Sequence, residues 1–173
     1  METITLDRPA TGTPAAKPVK YVFSFREGDG KNKQLLGGKG ANLCEMTQIG
    51  LNVPPGFVIS TEACLSYLAT PEKKLPATLM VEVRDQIKQI EKASKKTFGD
   101  PVNPLLVSVR SGSAMSMPGM MDTILNLGLN SKTLPGLIKQ TGNECFGYDA
   151  YRRCIQLFGK VALGVPDEKF DKH

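Results

Sequence analysis

Ser108-Val-Arg-Ser-Gly-Ser-Ala-Met-Ser-Met-Pro-Gly-Met-Met-Asp-Thr123 is the stretch on which the reading of this chain turns. It begins inside a short apolar run, Leu105 to Val109, whose length and β-branched residues predict a buried strand. Arg110 stands at the end of that strand, followed by the small residues Ser111, Gly112 and Ser113. A guanidinium leaving a strand among small neighbours can aim its planar donors at phosphoryl oxygens without obstruction. The alternative is an arginine paired with a core carboxylate. Beyond it, Met115, Met117, Met120 and Met121 alternate with serines, Pro118 and Gly119, an apolar content unusual for an exposed loop. Those methionines call for an apolar partner: a neighbouring lobe, a nucleotide base, or the chain's own core. Asp122 is open to two roles, a magnesium ligand or a residue that turns the chain.

A second anion-binding element lies upstream. Gly37-Gly38-Lys39-Gly40 puts a lysine in flexible backbone just before Ala41 to Ile49, where Leu43, Met46 and Ile49 recur at helical spacing. A helix start offers unpaired amides and a partial positive charge, and a lysine there adds to both. Taken alone, the tetrapeptide reads rather as a glycine turn with a solvated lysine. Together, Lys39 and Arg110 on two glycine-rich turns point to a polyphosphate ligand.

Composition bounds these readings. The chain has 173 residues, enough for one domain with a true core or one lobe of something larger. Hydrophobic residues make up 40% and charged residues 23%, ordinary values for a globular domain, and no apolar run approaches the roughly 20 residues of a membrane helix. The net charge of +5 is spread over short pairs such as Lys73-Lys74 and Arg152-Arg153, and aromatics are only 6% without a tryptophan, which argues against nucleic acid as a partner. Cys44, Cys64, Cys145 and Cys154 lack the close spacing of zinc or redox pairs and read as reduced, buried thiols. The sole histidine, His173, is the last residue, so a histidine nucleophile or base has to come from elsewhere.

Residues 1–20 read as a disordered lead-in without a signal-peptide core, and a cytoplasmic address is expected. Tyr21 to Phe25 predicts a strand, and Gly50 a helix stop. Val53-Pro-Pro-Gly56 interrupts helix; Phe57 to Ser60 predicts a strand leading into Thr61 as a cap for a short helix from Glu62 to Leu68. Ala77 to Lys96 predicts a scaffold helix with Leu79, Val83, Ile87 and Ile90 on one face. Ile124 to Asn130 predicts strand and turn, then a short helix after Ser131 and a longer one from about Tyr148 to Leu163.

Leu35-Leu-Gly-Gly-Lys-Gly-Ala-Asn-Leu43, Val53-Pro-Pro-Gly56, Ser60-Thr-Glu-Ala-Cys64, Leu106-Val-Ser-Val-Arg-Ser-Gly112 and Ser116-Met-Pro-Gly-Met-Met-Asp-Thr-Ile-Leu-Asn-Leu-Gly-Leu129 closely resemble the pyruvate, phosphate dikinase family, in the same order. Tyr148-Asp-Ala-Tyr-Arg-Arg153 extends the resemblance, which covers about Tyr21 to Phe170. It implies an ATP-grasp-like α/β (α+β) nucleotide-binding subdomain, a mixed sheet flanked by helices, with residues 21–173 forming the amino-terminal portion of the ATP/AMP-binding domain. The implied reaction converts ATP, phosphate and pyruvate to AMP, diphosphate and phosphoenolpyruvate through a phosphohistidine.

By that match Lys39 and Arg110 hold the ATP phosphates, and Gly119, Met121 and Thr123 lie on the loop near the nucleotide. Magnesium is implied as well, its carboxylate ligands expected outside this chain, as are the phosphohistidine and pyruvate domains and, in the full enzyme, a homodimer. Phosphoryl transfer rests on positioning and charge neutralisation, so the isolated chain is expected to bind nucleotide but not to complete catalysis. The alternatives are a lobe of phosphoenolpyruvate synthase or another dikinase, or a non-catalytic truncated partner-binding protein.

Overall fold

The structure, a computed structural model, describes residues 19–112 and 122–170. Its elements run β1 (Val22–Ser24), α1 (Lys33–Gln48), β2 (Phe57–Ile59), α2 (Thr61–Ala69), α3 (Leu79–Ser94), β3 (Thr97–Phe98), β4 (Pro104–Leu105), β5 (Val107–Arg110), β6 (Thr123–Leu127), α4 (Leu134–Thr141) and α5 (Glu144–Leu163), closed by a 3-10 turn at Asp167–Lys169. The mixed α/β class matches the expectation. Among the described residues the strands form three short pairs, two antiparallel (β1 with β2, β5 with β6) and one parallel (β3 with β4).

Side-chain alternation along β1 and β2 explains the first unit. Phe23 opposes Val58, and both pack with Phe25 and Leu35 on the buried Leu36, Ala41 and Cys44 of α1. One residue out of phase, Val22 and Phe57 turn the other way, onto Ala63 of α2 and Leu79 and Val83 of α3. The two-stranded ribbon is therefore covered on both faces. The apolar face of α3 expected from Leu79, Val83, Ile87 and Ile90 is buried or half-buried throughout. Its acids have a use that periodicity does not reveal. Glu82 Oε2 accepts from the amides of Tyr21 and Val22, each at 2.9 Å, and Glu91 Oε1 accepts from the Phe98 amide at 2.8 Å.

The second unit packs α4 and α5 against the β5–β6 pair around Leu129, Leu134, Leu137, Ala150 and Cys154. The segment between β3 and β4 ties to it: the Gln140 amide donates to Val102 O and to Asn103 Oδ1, both at 3.0 Å.

Several boundaries differ from expectation. The helix expected from Ala41 starts eight residues earlier, at Lys33, because Asn32 caps it, its Oδ1 accepting from the Leu35 amide at 3.0 Å. Ser60, not Thr61, caps α2, and the Thr61 hydroxyl instead donates to Gln34 O at 2.7 Å. The last helix begins at Glu144, capped by Asn143, where Tyr148 was expected. Of the four thiols expected to be buried, Cys44 and Cys154 are, while Cys64 and Cys145 lie exposed.

Candidate phosphate-binding site

Lys39 occupies a kink rather than a turn. Gly37 has φ 69° and ψ 162°, a conformation essentially closed to residues with a Cβ, and it breaks α1 into a first turn, Lys33 to Leu36, and a longer second segment. Each side of the break is fixed separately. The first turn is held by the Asn32 cap and by Thr61 on the Gln34 carbonyl. The second is held by packing so close that a Cβ built on Gly40 would meet Val58 Cγ1 at 2.7 Å. Leu36, Gly37, Gly40 and Ala41 face inward, which leaves Lys39 exposed at the start of the post-kink segment. That placement agrees with a lysine near a helix start, with a helical turn on its other side as well. The positive end of a helical segment favours anions.

Arg110 is the last residue of β5, opposite Thr123 of β6. The strand was expected to be buried. Pro104 and Leu105 are, but Ser108, Val109 and Arg110 are exposed, because α5 packs against β6 and leaves the end of β5 uncovered. The register between the strands is not uniform. Val107 faces Leu127 whereas Val109 faces Ile124, so Ser108 alone spans Leu125 and Asn126. Asn126 absorbs the extra residue at φ 57°, and its carbonyl accepts from Cys154 Sγ of α5 at 3.3 Å. Beyond the bulge, Arg110 meets Thr123, and Ser111 follows with both its amide (3.1 Å) and its hydroxyl (2.9 Å) donating to Asp122 O.

The same rim receives the carboxyl end of α5. Lys160 Nζ donates to Asp167 Oδ2 at 2.6 Å. The Asp167 carboxylate pushes the Lys160 ammonium's pKa above the usual lysine range, with a smaller contribution from Asp122. Of the two roles open to Asp122, its backbone serves the turn. Among the described residues no group of three metal-ligating side chains occurs. Nothing in the described donor set fits a magnesium centre on its own.

Thr123 is half-buried and shares the Arg110 rung. Gly119, Met121 and the rest of the methionine segment lie outside the described residues. Lys39 and Arg110 stand on different units, one on α1 and one on β5, and among the described residues no hydrogen bond or ion pair joins them. Sequence reasoning missed Ser111, Thr61 and Lys160 as participants. A serine directly after a strand-end arginine is a legible signal, whereas the Lys160–Asp167 contact crosses a helix end and leaves no pattern in the sequence.

The α/β class of these elements is that of the nucleotide-binding domain the chain's sequence matches. Residues 33–80 match the family model described as pyruvate phosphate dikinase, AMP/ATP-binding domain, a segment that contains the kink and Lys39. The chain is 62% identical over 154 residues to a pyruvate, phosphate dikinase of Entamoeba histolytica, covering 89% of this chain. It is 50% identical over 167 residues to a chloroplastic pyruvate, phosphate dikinase of Flaveria pringlei, covering 92%, and 48% identical over 153 residues to that of Clostridium symbiosum, covering 88%. Over most of its length, then, this chain is similar to pyruvate, phosphate dikinases. It spans 17% of the length of each of these relatives.

Proposed function

We propose that this chain is the amino-terminal part, residues 21–173, of the ATP-binding lobe of a pyruvate, phosphate dikinase, in which Lys39 and Arg110 hold the ATP phosphates. The observation that carries the reading is the position of Lys39, exposed at the first turn after the Gly37 break, inside the segment that matches an AMP/ATP-binding domain. The lysine supplies a point charge at the start of the post-kink segment, and the arginine a rigid planar fork. Both favour the charge that develops on phosphoryl oxygens during transfer. In this reading Thr123, Gly119 and Met121 approach the nucleotide, and magnesium is held by carboxylates supplied by other parts of the enzyme.

The overall reaction, ATP with phosphate and pyruvate giving AMP, diphosphate and phosphoenolpyruvate, is proposed for the whole polypeptide of which this would be one lobe. The remaining domains and a second subunit are the partners so implied. The cytoplasmic address stays a proposal; the Flaveria relative is named chloroplastic. The relatives above are all named dikinases of pyruvate, which favours this reading over a phosphoenolpyruvate synthase lobe.

Calorimetric titration of the chain with magnesium ATP, and in parallel with AMP, tests the site. Lys39→Ala and Arg110→Ala should each weaken ATP binding about tenfold or more, as expected for loss of a charge-assisted phosphate contact. AMP, lacking the outer phosphates, should respond less. ATP affinity unchanged in both variants would overturn the assignment.

A further inference from the structure

Arg110 is exposed at a strand end, so burial does not fix where its side chain starts. What fixes it is the backbone on either side. Before it lies the Asn126 bulge; after it, Ser111 sends two donors to one acceptor, the Asp122 carbonyl, whose two lone pairs can take both. The amide bond alone would extend the ladder one rung past Arg110 and Thr123. The hydroxyl bond adds a second tie at the same carbonyl, at an exposed end where a single hydrogen bond readily opens to water. It also joins the two ends of the chain flanking residues 113–121.

We propose that Ser111 is a positioning residue of the phosphate site: its hydroxyl, on the Asp122 carbonyl, keeps the Arg110–Thr123 rung closed so that the guanidinium is aimed before the nucleotide arrives. The proposal rests on the reading that Arg110 contacts phosphate. Holding a donor in its binding geometry in advance raises affinity by removing an ordering step from the binding event.

The test compares wild type, Ser111→Ala, Ser111→Thr and Arg110→Ala in the full 173-residue chain. Amide hydrogen exchange reads the rung directly. Ser111→Ala should speed exchange of the β5–β6 amides about fivefold, the equilibrium worth of one ordinary hydrogen bond, with the α1 amides and the melting temperature unmoved. ATP affinity, measured by calorimetry with magnesium ATP, should fall by about the same factor. Ser111→Thr, which keeps the hydroxyl, should restore both. Unchanged β5–β6 exchange in Ser111→Ala overturns the proposal. Faster exchange with unchanged ATP affinity, while Arg110→Ala does lose affinity, also overturns it and leaves the Arg110 reading standing. A wild-type chain that does not bind ATP, or an Arg110→Ala variant that binds as well as wild type, overturns the Arg110 reading and the positioning role together.

Discussion

The two cations of the proposed site are held by opposite means. Around Lys39 the backbone is wedged: Gly40 lies against Val58, and Leu36, Ala41 and Cys44 are almost wholly buried. Around Arg110 almost nothing is wedged; Ser108, Val109 and Arg110 are exposed, and order comes from strand register, a bulge and the bonds of Ser111. Packing restrains motion in all directions and is felt throughout a core, whereas a hydrogen-bonded strand end resists one mode of opening and yields locally. The difference teaches that lesions near Lys39 should act through stability, and lesions near Arg110 through binding.

The strongest way to break that contrast is Leu36→Ala. Loss of a fully buried leucine side chain typically costs about 2–5 kcal/mol, and denaturant titration should show a loss of this size. A loss under about 1 kcal/mol would mean that the Lys39 region is not the tightly packed one. Next in size is Gly37→Ala, which puts a Cβ into a backbone conformation reserved for glycine and should destabilise by about 1–3 kcal/mol while also weakening ATP binding, because the kink aims Lys39. If the variant is destabilised but binds ATP normally, the kink is structural alone. Arg110→Ala, at an exposed strand end, should shift stability by no more than about 0.5 kcal/mol in the same titration.

The smallest effect is a rate. Burial raises the pKa of the Cys44 thiol, with Asp29 adding to the rise, and burial likewise raises that of Cys154, so the reactive thiolate is scarce at neutral pH in both. Iodoacetamide mass spectrometry should find Cys64 and Cys145 modified first, then Cys154, then Cys44, whose residue is wholly inaccessible. Reversal of the last two would show the second unit to be the tighter.

Much of this was legible in the sequence. Apolar spacing located α3 and the buried face of the first unit, and the glycine-rich and arginine motifs fall at a helix break and at a strand end. What the sequence did not disclose depends on contacts distant along the chain. Thr61 reads as a cap, yet its hydroxyl is drawn to Gln34, leaving the cap to Ser60. Leu105 to Val109 reads as one buried strand because apolar content does not say how far a covering helix reaches; burial ends where α5 ceases to cover β5. Glu82 belongs to the polar side of a helix by periodicity, and only the approach of β1 turns it into a clamp for two amides.

The bulge at Asn126 gives Thr123 a parity. In a two-stranded ribbon, slipping by a single residue exchanges the faces of every side chain beyond the slip. The bulge is fastened from α5, through Cys154, and not from the rung that Arg110 and Thr123 share. Which side of the ribbon Thr123 and Ile124 present beside Arg110 is thus written in a helix core away from that rung, and a substitution there that freed the Asn126 carbonyl would let β6 re-register against Arg110 without touching either residue of the rung.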